Sequence, residues 1–313
     1  MANPGIPPLV TVFGGSGFVG RYVCEALLKA GARIRVAERD PRKAWFLQPL
    51  GGVGMVQTIA ADVTKPATVA LAVEGADAVV NLVGVFKGDL EAIHVGGPRT
   101  IAEAAKANGA AFVHVSAIGA DAASESGYGK TKGMGEEAVR AAYSKATIIR
   151  PSVVFGPEDQ FTNRFAGLAR FPVLPVVAPN SRFQPIFAAD LGKAIAAAAL
   201  DPKTHGGKTY ELGGPDVMTM RALVGAIADL SGQSPQIVDL PDFAGSAMAS
   251  LGFLPGAPLT RDQWIMLQKD NVVAKGGTDL KAFGIAPTAL GSVAGEWLGR
   301  FRTGGRFAPR ATA

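Results

Sequence analysis

The sequence predicts an α/β fold: a doubly wound parallel sheet with a smaller C-terminal α/β lobe. Apolar runs alternate with helical segments between residues 8 and 150, which is the pattern of parallel strands covered on both faces. The first run ends in a glycine-rich turn that opens directly into a helix. After Arg150 the alternation loosens into short pieces broken by Pro157, Pro172, Pro175, Pro179 and Pro185. That loosening predicts the separate lobe.

Strand 1 is predicted at 8–13, from Pro8-Leu9-Val10-Thr11-Val12. It runs into Gly14, Gly15, Ser16, Gly17, Phe18, Val19 and Gly20, a GxxGxxG set on Gly14, Gly17 and Gly20. A helical segment follows and stops at Gly31. This Rossmann-type layout suits a dinucleotide. Glycines let the backbone approach a pyrophosphate, and the helix N-terminus offers it free N–H groups. The bland alternative is a glycine-rich turn without a ligand. Strand 2 is predicted at 33–38, strand 3 at 55–60 and strand 4 at 77–83. A helix over 97–107 precedes strand 5, Ala111–Val115, and strand 6 is predicted at 146–150. These elements define a nucleotide-binding domain over 1–155, completed by about 183–200. The lobe takes 156–182 and 201–313, with a short strand at Tyr210–Leu212 and helices near 219–231 and 260–270.

Composition narrows the function classes. The chain has 313 residues, 48% hydrophobic and 18% charged, so it buries a large core. No apolar run reaches the ~20 residues of a membrane-spanning helix, and no signal peptide is read at the N-terminus. The single cysteine, Cys24, fits a reducing cytoplasm. The three histidines lack metal-ligand spacing, so no metal is expected. Nor is a nucleic-acid partner. Arg300, Arg302, Arg306 and Arg310 follow Glu296 with no further acid. With Trp297, Leu298, Phe301 and Phe307 between them, they suggest a docking tail for an acidic partner or a membrane surface.

Tyr128 and Lys132 stand four apart at the start of a predicted helix, and so share a face. A cation there favours phenolate and makes the tyrosine a usable acid or base. Ser116 ends strand 5 at the same sheet edge. Glu38 and Arg39 close strand 2. The acid suits a ribose 2′-hydroxyl, whereas the arginine grips a 2′-phosphate. With Arg42 and Lys43 nearby, the local charge favours NADP(H), with NAD(H) the alternative.

These motifs together resemble the short-chain dehydrogenase/reductase superfamily, in its extended or atypical branch, over roughly residues 8–215. The resemblance rests on the glycine turn, Asp62-Val63, Asn81-Leu82-Val83-Gly84, Ser116, Tyr128/Lys132, Arg150 to Pro157, Gln184 to Asp190, and Leu212 to Pro215. It implies that Asp62 and Val63 contact adenine and that Gly84 passes the cofactor. Lys132 then holds the nicotinamide ribose, and Ser116 polarises a substrate carbonyl. Leu82, Val83, Pro151 and Val153 complete the expected cofactor contacts. The segments Phe112–Asp121, Ser126–Glu136 and Ile148–Phe165 are similar to the nucleotide-binding accessory subunits of respiratory complex I and their bacterial relatives. In that group the nucleotide, usually NADPH, is bound structurally. Two departures stand out. His94 occupies the place before Val95-Gly96-Gly97 where the superfamily commonly has asparagine, and the helix after Tyr128 carries Gly129, Gly133 and Gly135.

Two readings remain open. One is an accessory or assembly subunit holding NADPH and docking on a respiratory complex, peripheral on the cytoplasmic face of a membrane. The other is a soluble NADP-dependent oxidoreductase or epimerase using Ser116, Tyr128 and Lys132. Its phenylalanine-rich lobe would line a pocket for an apolar carbonyl such as a quinone or isoprenoid.

Overall fold

The structure is a computed structural model and describes residues 6–252, 254, 259–277, 279–302 and 304. The chain divides into two compact units. One holds Met1–Pro151, Ala188–Leu212 and Ala274–Ala286; the other holds Ser152–Phe187, Gly213–Val273 and Pro287–Ala313.

In the first unit the chain order is β1 (Leu9–Phe13), α1 (Phe18–Lys29), β2 (Arg33–Glu38), β3 (Val56–Ala60), α2 (Pro66–Val73) and β4 (Ala78–Asn81). It continues with α3 (Gly97–Ala107), β5 (Ala111–Val115), α4 (Gly127–Ala142) and β6 (Thr147–Pro151). A seven-stranded sheet runs in the order Thr209–Leu212, β6, β5, β4, β1, β2, β3, and every pairing is parallel. The Rossmann-type doubly wound sheet read from the sequence is therefore present. Strand order reverses at β1 and β4, and in open α/β sheets ligands bind beyond the carboxyl ends of the strands at such a switch point. All five residues of β1 are buried. Phe13, Val79, Ile101, Phe112 and Val139 share one core under α3 and α4. On the other face the helix Ala188–Leu200 packs against α1. A Cβ on Gly192 there would come within 2.7 Å of the Tyr22 backbone.

Several boundaries differ from the sequence reading. Residues 201–212 were expected in the lobe, but Thr209–Leu212 pairs with β6 as the seventh strand of the main sheet. Ala274–Ala286 also belongs to this unit; its Phe283 stacks on His205 at 4.6 Å. Strand 4 stops at Asn81, whose side-chain oxygen accepts the Val83 N–H and turns the chain out of the sheet. A 3₁₀ segment, Pro41–Leu50, and α2 carry no strong sequence signal and were not anticipated.

The three α4 glycines have a physical reason. A Cβ on Gly133 would lie 2.3 Å from the Ala122 nitrogen, and one on Gly135 would lie 1.9 Å from the His94 carbonyl oxygen. The helix thus packs backbone to backbone against its own chain, and this close approach offsets the poor helix propensity of glycine.

The second unit is built from short strand pairs and helices. Val173–Val176 pairs with Gln236–Asp239, Arg182–Phe183 with Met218–Thr219, and Val154–Phe155 with Ile186–Phe187. The expected helices are Met220–Leu230 and Arg261–Leu267, the latter started by a Thr260/Gln263 capping box; Asp242–Ser250 is an additional helix. Phe155 and Phe183 are core residues, with Phe161, Phe165 and Phe187 packed against them. Phe171 and Phe243, by contrast, are exposed. Most of the phenylalanines described in this unit therefore build its own core. Trp297 and Leu298 belong to that core too, so they are not the exposed docking anchors the sequence suggested. Arg300 donates to Asn163 Oδ1 at 2.7 Å. Arg306, Phe307 and Arg310 lie outside the described residues. Among the described residues no helix is long and apolar enough to cross a membrane.

Candidate functional site

The candidate nucleotide cradle lies at the carboxyl end of β1. Gly14 adopts φ +81°, and a Cβ there would lie 3.3 Å from the Leu82 carbonyl carbon. A Cβ on Gly20 would meet the Gly14 oxygen at 2.3 Å. The turn therefore folds tightly over the start of α1 and beside the exit of β4. Gly17 is the N-cap of α1, with no side-chain cap and no acid in the first turn. The first N–H groups, those of Phe18, Val19 and Gly20, have no intrahelical acceptor. Such a surface fits a pyrophosphate.

At the end of β2, Ser16 N–H donates to Glu38 Oε1 at 2.8 Å. Asp40 is engaged by Arg42, at 2.8 Å through Nε and 3.0 Å through Nη2. Arg39 is exposed and forms no hydrogen bond or ion pair among the described residues. Arg39 pairs with neither of its neighbours, Glu38 and Asp40. The Asp62 carboxyl lies below its ordinary range because Thr64 donates to it through both N–H and hydroxyl, with smaller contributions from Lys65 and Arg39. Val63 is buried in the core, against the position of Gly97.

At the end of β5, Ser116 is buried and its Oγ has no hydrogen-bond partner among the described residues. Lys132 is also buried, and its Nζ donates to the carbonyl of Val115 at 2.8 Å. Ser116 and Lys132 therefore meet at one strand end. Burial lowers the Lys132 pKa to about 8, opposed by Glu136. Tyr128 is half-buried. Phe86 stacks on its ring at 4.7 Å, and the His94 ring meets it edge-on at 5.4 Å. Burial pushes its phenol up to about 12. Burial thus raises the phenol and lowers the ammonium, and desolvation works against the expected cation-favoured phenolate.

His94 lies in a π-helical turn, Ala92–Gly96, a distortion frequent at functional sites. Its Nε2 accepts the Val85 N–H at 3.1 Å, and its Nδ1 lies 2.9 Å from Thr131 Oγ1. Burial, aided by Lys132, lowers its pKa to about 4, so the ring is neutral.

The glycine turn, Arg39, Asp62, Leu82, Val83, Gly84, Ser116 and Pro151 all fall at the carboxyl ends of β1 to β6, and α4 adds Tyr128 and Lys132. Val153 belongs to the second unit, where its N–H donates to Asn271 Oδ1 at 2.9 Å. Sequence reasoning missed Phe86 and His114. His114 is fully buried on β5, with Nδ1 3.2 Å from Asn81 Nδ2. Its signal was a lone polar residue inside an apolar strand. Among the described residues no cluster of His, Cys, Asp or Glu is placed to hold a metal.

Residues 10–213 match the family model described as the NAD dependent epimerase/dehydratase family. The chain is 33% identical to the mitochondrial NADH dehydrogenase [ubiquinone] 1 alpha subcomplex subunit 9 of Mus musculus, over 94% of this chain and 81% of that protein. It is also 33% identical to the ceramide reductase of Caulobacter vibrioides, over 75% of this chain and 74% of that one. Among solved structures, the NADPH-dependent quinone oxidoreductase of Escherichia coli complexed with NADPH superposes with a TM-score of 0.71 at 23% identity. The match covers 92% of this chain and 99% of that one, and speaks to the fold alone. The cradle, the strand order and these matches agree: the chain belongs to the NAD-dependent epimerase/dehydratase family, within the short-chain dehydrogenase/reductase-like proteins.

Proposed function

We propose that this protein is an accessory or assembly-type subunit of a respiratory complex that holds NADP(H) as a structural ligand. The observation that carries the reading is the ring packing on the half-buried Tyr128. Phe86 covers one face of its ring and His94 abuts it from the side, while burial keeps the phenol protonated. A tyrosine so held is poorly disposed to exchange protons with a substrate. The similarity to the mouse complex I subunit along 94% of the chain supports the same reading. Docking would make the protein peripheral on the cytoplasmic face of a membrane.

The residues present fit a nicotinamide dinucleotide. Gly14 to Gly20 would cradle its pyrophosphate, with Asp62 and Val63 at the adenine and Leu82, Val83, Gly84 and Pro151 along its length. Lys132 would bind the nicotinamide ribose, and Ser116 and Tyr128 would flank the ring, which supplies hydride chemistry when bound. NADP(H) is favoured over NAD(H) because Arg39 is exposed and makes no hydrogen bond or ion pair among the described residues, ready for a 2′-phosphate. Glu38, turned to Ser16 N–H, is the feature that would accommodate NAD(H) instead.

A second reading, an NADP-dependent reductase of an apolar carbonyl, is favoured by the unpartnered Ser116 Oγ beside Lys132. The ceramide reductase relative supports it as well. One experiment separates the two. The purified protein is analysed by native mass spectrometry for bound nucleotide, then followed for NADPH oxidation with quinone and with keto-lipid substrates. Retained NADPH without turnover, together with co-purification on membranes, supports the accessory role. Steady turnover refutes it in favour of the reductase.

A further inference from the structure

We infer that His94 and His114 are positioning residues: as neutral imidazoles of opposite tautomer, they clamp the turn Leu82–Val85 that passes the nucleotide cradle. The inference rests on the proposed nucleotide site only for the purpose of the clamp, not for its existence.

The turn leaves β4 held by its own amides. Leu82 N–H donates to the Phe13 carbonyl at 3.0 Å. Val83 N–H donates to Asn81 Oδ1 at 3.0 Å, and Val85 N–H donates to His94 Nε2 at 3.1 Å. The first bond is ordinary backbone pairing; the other two depend on side chains. A Cβ on Gly14 would be 3.4 Å from the Val83 nitrogen, so displacement of this turn would be felt directly by the glycine cradle.

The hydrogen-bond inventory fixes both tautomers. His94 Nε2 accepts from Val85, so the neutral ring carries its proton on Nδ1. Thr131 is compatible with that tautomer: its one hydroxyl proton can point to the carbonyl of Gly127 at 2.9 Å or Tyr128 at 3.2 Å, which leaves a lone pair for the Nδ1–H of His94. His94 therefore bridges the turn to the first residues of α4, which include Tyr128. A rigid imidazole can do this because its acceptor and donor lie on opposite edges.

His114 works one step removed. Asn81 Oδ1 is occupied by the Val83 N–H, so its amide nitrogen faces His114 Nδ1 at 3.2 Å and donates. His114 must accept at Nδ1 and carry its proton on Nε2. That Nε2 is buried with no partner among the described residues. The ring's Nδ1 thus holds the Asn81 amide in the orientation that Val83 needs. A protonated imidazole could fill neither role. Burial opposes protonation of both rings, and the Lys132 ammonium adds to it. The His94 carbonyl against Gly135 fixes the depth at which the His94 ring enters.

The test begins with the imidazole nitrogens of the full chain. It has three histidines, so a long-range proton–nitrogen spectrum is assignable with single His→Gln variants. At pH 7, His94 should appear as the Nδ1–H tautomer and His114 as the Nε2–H tautomer. The reverse tautomer or a charged ring at either position overturns the clamp. Amide exchange supplies the second readout. His94→Phe should speed exchange at Val85 about tenfold or more while leaving Val83 little changed, and Asn81→Leu should do the converse. His94→Phe should also weaken NADPH binding about tenfold, with His94→Gln, which keeps an acceptor, recovering most of it. Unchanged exchange and unchanged NADPH affinity in a folded His94→Phe protein would refute the inference. Should that variant fail to fold, the wild-type tautomers decide. If the wild type binds neither NADPH nor NADH, the nucleotide reading fails while tautomers and exchange still judge the clamp.

Discussion

Replacing Gly135 by alanine tests the packing that sets the depth of His94. The added Cβ would lie 1.9 Å from the His94 carbonyl oxygen; ordinary contact begins near 3.4 Å, so the backbones must part by about 1.5 Å. Both are main-chain atoms in helical segments, so no flexible side chain can give way. Overpacking of this kind costs about 1–3 kcal/mol, offset by up to ~1 kcal/mol of helix propensity. A net loss of up to about 2 kcal/mol should lower the melting temperature by up to roughly 8 °C in a unit of this size. Gly96→Ala is the matched control. Gly96 is helical, at φ −62° and ψ −50°, and nothing lies within 4 Å of its Cβ position. Alanine there should stabilise by about 0.5–1 kcal/mol. Thermal unfolding by circular dichroism reads both, and NADPH titration should show weakened binding for Gly135→Ala alone. Equal melting temperatures for the two variants, or a more stable Gly135→Ala, would refute the close-approach argument.

Arg39→Ala should weaken NADPH by about 1.5–3 kcal/mol and NADH far less, measured by paired calorimetric titrations; equal losses for both would remove the 2′-phosphate assignment. The pH dependence of stability should carry the signature of His94, whose pKa falls from 6.5 to about 4 on folding. The unfolded chain binds that proton first, so stability is lost as pH drops from 6.5 toward 4, and His94→Gln should lose less over the same window. Lys132, lowered from 10.5 to about 8, gives the same sign at higher pH: stability attributable to it rises between 8 and 10.5, and Lys132→Met should flatten that rise. Truncation after Glu296 should destabilise the second unit, because it removes the buried Trp297 and Leu298 at about 2–5 kcal/mol each. Truncation after Arg302 should keep the fold, and loss of membrane association in that shorter variant, read by low-salt fractionation, would assign docking to the tail.

The parallel sheet and its glycine turn were legible because they are local. Leu9 to Phe13 followed by Gly14, Gly17 and Gly20 is a pattern of neighbours, and strand, turn and helix follow from backbone sterics within about twenty residues. The meeting of Ser116 and Lys132 was foreseeable for a related reason: Ser116 follows the carboxyl end of β5, where Lys132 Nζ reaches the Val115 carbonyl. The pairing of short elements was not legible. Thr209–Leu212 spans four residues, too few for periodicity to reveal that it joins β6.

The sequence by itself determined the α/β class, the glycine turn at the end of β1 and the family, because each depends on spacing along the chain. Tertiary structure alone decided what the polar groups do. Burial raised Tyr128 and lowered Lys132, a desolvation effect that their i, i+4 spacing does not reveal. The glycines of α4, unfavourable as a local helix sequence, became necessary once His94 and Ala122 were brought against them. Trp297 and Leu298 look like surface anchors among arginines, yet they complete a core with residues more than a hundred positions away. Asn81 and His114 are 33 residues apart, and only the pairing of β4 with β5 makes one the partner of the other. Desolvation and close contact are properties of the folded arrangement, and no spacing along the chain encodes them.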